Sequence, residues 1–375
     1  MQQKVIQVLD LRDSPWVDGP GRTILQCADM MDEEKCKIVI GGFSGDSHND
    51  HAYIKKAKQL SLDIVTIEEK RSFDLGVIKK IKQTVEEKSI DIIHTHDFRS
   101  NIYGLVCAKS LGLPLVSTCH GWISNNLKGQ IYTKIDRYLL RYHDKIITVS
   151  ELMKKQLVQG GIDPNIIKVI NNALVIEDYI IDKENRRFRD EFKIPHDKIV
   201  VANIGRLSIE KGQENYLKAA KYICETNSDF VFLIIGIGPE YEKLVNMAKE
   251  LQISDKVIFT GYREDMVNIY NGVDLVVQSS STEGMPNVIL ESLLMEIPVI
   301  ATDVGGTSQI VDHNLTGFLI EANNVESLKN AMTEYVKNKS HFNKMATLGR
   351  ENIKLNYNQD NRVNKLYDVY HEIVH

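Results

Sequence analysis

The five cysteines, Cys27, Cys36, Cys107, Cys119 and Cys224, include no CxxC pair, are odd in number and lie scattered along the chain. That leaves no disulfide framework and no zinc-binding spacing, and the usage suits a reducing compartment. Long hydrophobic runs are missing too. No stretch reaches the roughly 18 apolar residues of a membrane span, and Val5 to Leu9 is too short for a secretory signal. A cytoplasmic location is the expectation. Positive charge is in short supply: 46 Lys and Arg against 51 Asp and Glu give a formal net charge of -5. Phosphate-backbone binding needs a basic footprint, so nucleic acid is excluded as a general partner. Low-complexity segments are absent as well, and 43% apolar with 26% charged residues is the balance of a folded globular chain.

At 375 residues the chain exceeds the size at which a single core usually stops growing, so two domains are expected. Short β-branched runs alternate with longer segments of helical periodicity. They begin at Val5 to Leu9 and recur at Lys37 to Ile40, Ile64 to Ile67, Ile90 to Ile93, Leu115 to Thr118, Lys145 to Val149 and Ile167 to Ile170. This is the rhythm of a parallel sheet with crossover helices. After a charge run from Asp182 to Glu191 it restarts at Lys198 to Ile204, then Phe230 to Ile235, Val257 to Phe259, Leu275 to Val277 and Pro298 to Ala301. The fold class is therefore α/β, with two Rossmann-like doubly wound domains expected to face each other across a cleft. The divisions fall at 1–178, 179–357 and a terminal helix over 358–375. That helix carries a stripe of Val363, Leu366, Tyr367, Tyr370 and Ile373, which needs a surface to cover and is expected to find it on the first domain.

The stretch Ser279 to Glu291 runs from a buried strand through a glycine-containing loop into a helix. Pro286 suits the first helical turn, and the N–H groups and positive dipole end around Asn287 and Val288 suit a diphosphate. Glu291 lies five residues beyond Pro286, roughly 7.5 Å along the axis at about 1.5 Å per residue, an offset that fits a ribose diol. Glu283 stays at the loop for a sugar. The plainer alternative is a loop carboxylate and a solvated helix carboxylate. A second segment, Gly205 to Gly212, follows the first strand of its domain, where ligands of doubly wound sheets collect. There Arg206 and Lys211 offer positive charge to a leaving diphosphate in place of a metal ion, the alternative being two surface cations on a loop.

Other patterns point away from cofactors. Leu9 to Asp13, after the first strand, holds no GxGxxG, and Gly236-Ile237-Gly238 lacks the later glycine, so a nicotinamide dehydrogenase fits poorly. His94 and His96, even with Asp97 beside them, have no further ligand at recognisable spacing and read as a buried, hydrogen-bonded strand end. No metal and no other cofactor is expected. His48 to His51 reads as a solvated turn. Lys134, Arg137, Arg141 and Lys145 recur at helical spacing, with Lys128 before and Lys154 and Lys155 after, beside Ile131, Ile135 and Tyr142. Such a helix suits an anionic membrane surface; the alternative is a solvated face partly neutralised by Asp136 and Asp144.

On these motifs the second domain resembles the large retaining glycosyltransferase family 4, the glycosyl transferases group 1, whose fold is called GT-B. Glu283 with Glu291, and Arg206 with Lys211, match its donor-binding positions, while Leu233 to Glu240 and Ala301 to Gly306 resemble further signatures. In the first domain Ile93 to Asp97, Ser117 to Gly121 and Thr148 to Glu151 resemble the family over shorter stretches. The resemblance implies metal-independent transfer of a sugar, of the hexosyltransferase type, from a nucleotide diphosphate sugar to a hydroxyl of a glycan or lipid-linked acceptor. Retention of configuration follows from the same resemblance, as does a setting in bacterial cell-surface polysaccharide or glycolipid synthesis at the inner face of the membrane. It implies that Glu283 contacts donor-sugar hydroxyls, that the Gly284 and Met285 backbone seats the sugar, that Glu291 holds the ribose, and that Arg206 and Lys211 carry the diphosphate. His120 matches the family histidine beside donor sugar and acceptor. Gly21, in Asp18-Gly19-Pro20-Gly21, stands in the loop that approaches the phosphates. The sequence departs from the family where Gly-Pro-Gly replaces adjacent glycines and where Gln309 follows Gly305-Gly306 in place of glutamate. The rival readings are an epimerase or phosphorylase on the same architecture and a sugar-nucleotide sensor without turnover. The Glu283/Glu291 pair with Arg206/Lys211 favours transfer, and a sensor has no need of His120.

Overall fold

The computed structural model describes residues 4–44, 51–70, 74–122, 127–182, 184–227 and 229–375, apart from the side chain of Lys128. The chain forms two compact units, one running to Ala173 and taking in Gln359–His375, the other Leu174–Asn358. In the first unit β1 (Ile6–Arg12), β2 (Cys36–Ser44), β3 (Ile64–Glu68), β4 (Ile92–Thr95), β5 (Leu115–Cys119), β6 (Lys145–Thr148) and β7 (Ile167–Val169) make a parallel sheet in the order β3-β2-β1-β4-β5-β6-β7. Both faces are buried, which is why these strands read as unbroken apolar runs. Alternation still sorts the side chains: Val8, Ile38, Ile40, Ile92 and Val116 enter one core cluster, while Leu9, Val39, Ile93 and Leu115 enter the other.

The helix Gln359–Val374 completes the first of these clusters with Val363, Leu366, Val369 and Tyr370, and Tyr367 and Ile373 pack against it. Arg362 anchors its start by donating to the carbonyls of Ile170, at 2.8 Å, and Asn171. His48 to Asp50 lie outside the described residues. His51 is not simply solvated, because it caps the helix Ala52–Gln59 and its Nε2 lies 2.9 Å from the Phe43 carbonyl.

The second unit repeats the pattern with β8 (Ile199–Ile204), β9 (Phe230–Ile235), β10 (Val257–Gly261), β11 (Leu275–Gln278), β12 (Val299–Thr302) and β13 (Phe318–Ile320), in the order β10-β9-β8-β11-β12-β13. β13 is not among the strands expected from the sequence: it is three residues long and sits at the sheet edge, paired with β12. The division between units falls at Ala173/Leu174 rather than at 178/179. Leu174 bridges to Asn358, and its N–H donates to the Tyr357 carbonyl at 2.9 Å, tying 174–178 to the second unit. In both sheets the strand order reverses beside the first strand, between β1 and β4 and between β8 and β11, where ligands of such sheets gather.

Candidate active site

In the second unit the loop after β11 donates hydrogen bonds to backbone carbonyls of the loop after β8. Ser281 N–H donates to the Glu210 carbonyl at 2.7 Å and Ser279 Oγ to the Lys211 carbonyl at 3.0 Å. Two glycines make such approaches feasible, Gly212 between these two loops and Gly305 between the loop after β12 and that after β11. Gly212, at φ 64, and Gly305, at φ 60, are left-handed, and a Cβ on either would run into the carbonyl of Ser279 or Glu283. Gly306 N–H then donates to the Gly284 carbonyl at 2.7 Å.

On this frame Lys211 Nζ lies 2.7 Å from Glu283 Oε1, which also accepts the Ser280 hydroxyl at 2.7 Å. Arg206 is paired with Glu210 at 2.5 Å, and Glu210, buried, accepts the Ser208 hydroxyl at 2.6 Å. The expected cations are therefore oriented by carboxylates and are not loose surface charges. Glu291 is only 4% exposed and accepts the Tyr270 hydroxyl at 2.7 Å, so a solvated helix carboxylate is not what it is. Pro286 is the cap residue rather than part of the first turn: its ψ of 108 is extended, and the helix Asn287–Leu294 begins one residue later with no side-chain cap. Met285 is buried, and the Val288 carbonyl accepts Ser292 Oγ at 2.6 Å. Glu210, Ser208, Ser280 and Tyr270 were not expected. The four-residue spacing of Arg206 and Glu210 carried a readable signal, whereas Tyr270 carried none.

At the carboxyl ends of β1, β4 and β5 the first unit assembles a different set. Asp97 does not join the histidines, because it caps the helix Phe98–Leu111 in a capping box with Ser100. Their carboxylate is Asp10, whose Oδ2 lies 2.8 Å from His96 Nε2 and 3.6 Å from His94 Nδ1. Asp10, His94 and His96 bring ligand atoms within 4.8 Å of one another, a grouping the sequence spacing did not reveal. Both histidines already spend both ring nitrogens. His94 bonds the Tyr370 hydroxyl at 2.7 Å and Thr118 Oγ1 at 2.8 Å, while His96 bonds Asp10 and, at 3.1 Å, His120 Nε2. Burial, and after it the neighbouring histidines and Arg362, hold His94 well below the ordinary histidine range. His120 is held down likewise, by burial first and then by His96 and Arg362. Both are neutral near pH 7.

The loop before the first helix is closed on itself. Gly21 N–H donates to Asp18 Oδ1 at 2.9 Å, so the group expected to approach a phosphate already caps its own helix. Arg12 holds Asp18 at 2.5 Å and the Trp16 carbonyl at 3.0 Å, and its guanidinium fills the space beside Gly21.

The expected basic helix is only partly one. Leu127–Leu139 is helical, but Lys145 opens β6 and pairs with Glu372 at 2.6 Å. Arg137 stacks over Trp122 at 4.4 Å and Arg141 donates to the Gly160 carbonyl at 2.6 Å. Asp136 does not neutralise the outer face, because it is buried and accepts from Asn101 at 2.7 Å and Trp122 at 2.8 Å. Leu127, Ile131, Ile135, Tyr138 and Tyr142 are left exposed at helical spacing, with Lys134 among them. Among the described residues no helix is long and apolar enough to cross a membrane.

Two nucleotide-fold units, with carboxylates and cations interlocked at the switch point of the second, describe a glycosyltransferase of the GT-B type. The family description "Glycosyl transferases group 1" matches residues 184–352 and "Glycosyltransferase Family 4" matches residues 17–178; the chain belongs to glycosyltransferase family 4. It is similar to the UDP-Gal:alpha-D-GlcNAc-diphosphoundecaprenol alpha-1,3-galactosyltransferase of Escherichia coli, at 27% identity over 98% of this chain and 97% of the relative. It is also similar to the N-acetyl-alpha-D-glucosaminyl L-malate synthase of Bacillus anthracis, at 22% identity over 80% of each. Among solved structures, Anabaena HepE in complex with UDP and glucose shares the fold with a TM-score of 0.88 and 21% identity, over 98% of this chain and 100% of the other.

Proposed function

We propose that the protein moves a sugar from a nucleoside diphosphate donor to a hydroxyl of a lipid-linked or glycan acceptor, with retention of configuration and without a metal ion. The observation that carries this reading is the placement of two glutamates around one helix start, Glu283 clamped by Lys211 and Ser280 on the loop and Glu291 buried behind it against Tyr270. Glu283 takes sugar hydroxyls, Glu291 the ribose, and the N–H groups at Asn287 and Val288 the phosphates. As the bond from the anomeric carbon to the phosphate oxygen breaks, negative charge builds on the diphosphate, and Lys211 and Arg206 answer it as preoriented cations. The acceptor oxygen bonds to the anomeric carbon on the face the phosphate leaves, and its proton passes to the departing phosphate. UDP in the name of the Escherichia coli relative and in the HepE complex makes a uridine diphosphate hexose the first donor to try, and a polyprenyl-diphosphate sugar the first acceptor.

A thermal-shift panel of nucleoside diphosphates and their sugars tests the donor, since a ligand at a hundred times its dissociation constant stabilises by about 2.7 kcal/mol. No shift with any of them overturns the reading. A mass gain of one hexose on the acceptor separates transfer from epimerisation, phosphorolysis or mere sensing. Turnover is expected to persist in excess EDTA; loss that manganese or magnesium restores refutes metal independence.

The exposed stripe from Leu127 to Tyr142 supports peripheral docking of the first unit on anionic lipid, where a lipid-linked acceptor resides. Cosedimentation with phosphatidylglycerol vesicles is expected to exceed that with phosphatidylcholine, and Ile131→Glu with Ile135→Glu to abolish the excess. Equal binding of both vesicle types removes this part of the reading.

A further inference from the structure

Three polar groups from three strand ends form one continuous chain: Asp10 after the middle of β1, His96 just past β4 and His120 just past β5. Asp10 Oδ2 lies 2.8 Å from His96 Nε2, and His96 Nδ1 lies 3.1 Å from His120 Nε2. The two imidazoles lie stacked, with centroids 5.3 Å apart and planes 26° apart. His120 Nδ1 is buried and, among the described residues, has no hydrogen-bond partner.

The chemistry of the first group fixes the protons of the rest. A carboxylate oxygen accepts, so the ring hydrogen of His96 sits on Nε2, facing Asp10. Its Nδ1 is then bare and accepts, so His120 donates through Nε2–H and keeps Nδ1 bare. The opposite assignment needs the hydrogen of His96 on Nδ1, which leaves its bare Nε2 and the Asp10 carboxylate oxygen, two acceptors, facing each other at 2.8 Å. The neutral state that burial imposes on His120 leaves it a single ring hydrogen to place.

We propose that Asp10 and His96 are positioning residues that lock His120 in one ring orientation and one tautomer, Nε2–H, so that Nδ1 is a fixed acceptor for a hydroxyl of the bound sugar substrate. The assignment rests on the reading of His120 as a group that meets substrate. It gives His96 a role that its burial as a strand-end residue did not require: a hydrogen-bond acceptor turned toward its neighbour. Orienting groups of this kind hold an imidazole to its working tautomer, and their loss is felt in turnover more than in binding.

The test has two arms. Nitrogen-15 NMR of the unliganded parent protein reads the tautomer directly: a protonated Nε2 and a bare Nδ1 on His120 are expected, and the reverse pattern overturns the proposal whatever the kinetics. In the second arm, His96→Phe removes the acceptor and is expected to lower kcat by about a hundredfold while the donor KM stays within about threefold. His96→Gln, whose side-chain carbonyl accepts from His120 Nε2–H, is expected to recover most of that loss. Equal losses in both variants, each with the parent's melting temperature, mark a packing role and overturn it. His120→Ala runs beside them: if it keeps the parent's turnover, the reading of His120 fails while the NMR arm still judges the chain behind it; if it loses turnover and His96→Phe does not, the positioning claim alone fails.

Discussion

At the end of β1 the first unit turns its polar groups in on one another, whereas at the end of β8 the second unit holds charge near the surface on loops that glycine allows to touch. Asp10, His94, Thr118 and Tyr370 are all nearly or fully buried; His94 bonds both Tyr370 and Thr118, and Asp10 bonds His96. Arg206, by contrast, keeps a side chain 55% exposed although Glu210, its partner, is 2% exposed. One strand order therefore supports two strategies. In the second unit a buried carboxylate aims an exposed cation, as the proposed diphosphate donor would require. Where neutral imidazoles are wanted, burial does the work and a helix from the far end of the chain closes over them.

The largest way to break this contrast is to remove that helix. A chain ending at Asn358 loses Val363, Leu366, Val369 and Tyr370 from the first unit's core. At about 1.5–3 kcal/mol for each buried apolar side chain, the loss is comparable to a whole domain's stability of about 5–15 kcal/mol. Both tryptophans, Trp16 and Trp122, lie in the first unit, so its unfolding can be read by fluorescence alone. Loss of the cooperative fluorescence transition is expected. A truncated chain that keeps the parent midpoint sinks the assignment of this helix to the first core.

That helix also marks what the sequence could and could not disclose. Its apolar stripe was legible from spacing, as were twelve of the strands, because burial on both faces leaves unbroken β-branched runs. β13 escaped because three edge residues make no pattern. The loop motifs around Glu283 and Arg206 were legible because they are local. The partners that fix them were not: Tyr370 meets His94 across 276 positions and Asp10 meets His96 across 86, and nothing in either neighbourhood announces the other. Asp136 read as a surface charge on a basic helix, yet Asn101 and the Trp122 indole draw it inward.

In the second unit, Arg206→Ala and Lys211→Ala are each expected to lower turnover by about a hundredfold, the cost of removing one preorganised electrostatic donor. Activity within twofold of the parent in both would remove the cations from the mechanism. Smaller again, Glu291→Ala is expected to weaken nucleotide affinity by about tenfold, near 1.4 kcal/mol, through loss of a charged hydrogen bond. Unchanged affinity by calorimetry would leave Glu291 as nothing more than Tyr270's partner.

The smallest effect sharpens the contrast through acid. The first unit contains His143, which burial pushes down to about 4. His196, His313 and His341 of the second unit are exposed. A histidine whose folded pKa lies below its unfolded value near 6.5 binds a proton more readily in the unfolded chain. Its contribution is therefore complete above about 6.5 and lost as pH falls toward 4. For a shift of this size the loss is about 1 kcal/mol at pH 6. Asp97, raised to about 6, and Asp136, raised by burial, act with the opposite sign over part of that window, gaining stability as they are protonated. Comparing the parent with His143→Gln cancels those carboxylates. Urea midpoints followed by tryptophan fluorescence at pH 7.5, 6.5, 6.0 and 5.5 are expected to show the parent's advantage over the variant shrinking steadily below pH 6.5. An advantage that stays constant across the series means that His143 is protonated as easily folded as unfolded, and the neutral, buried histidine then ceases to distinguish the first unit from the second.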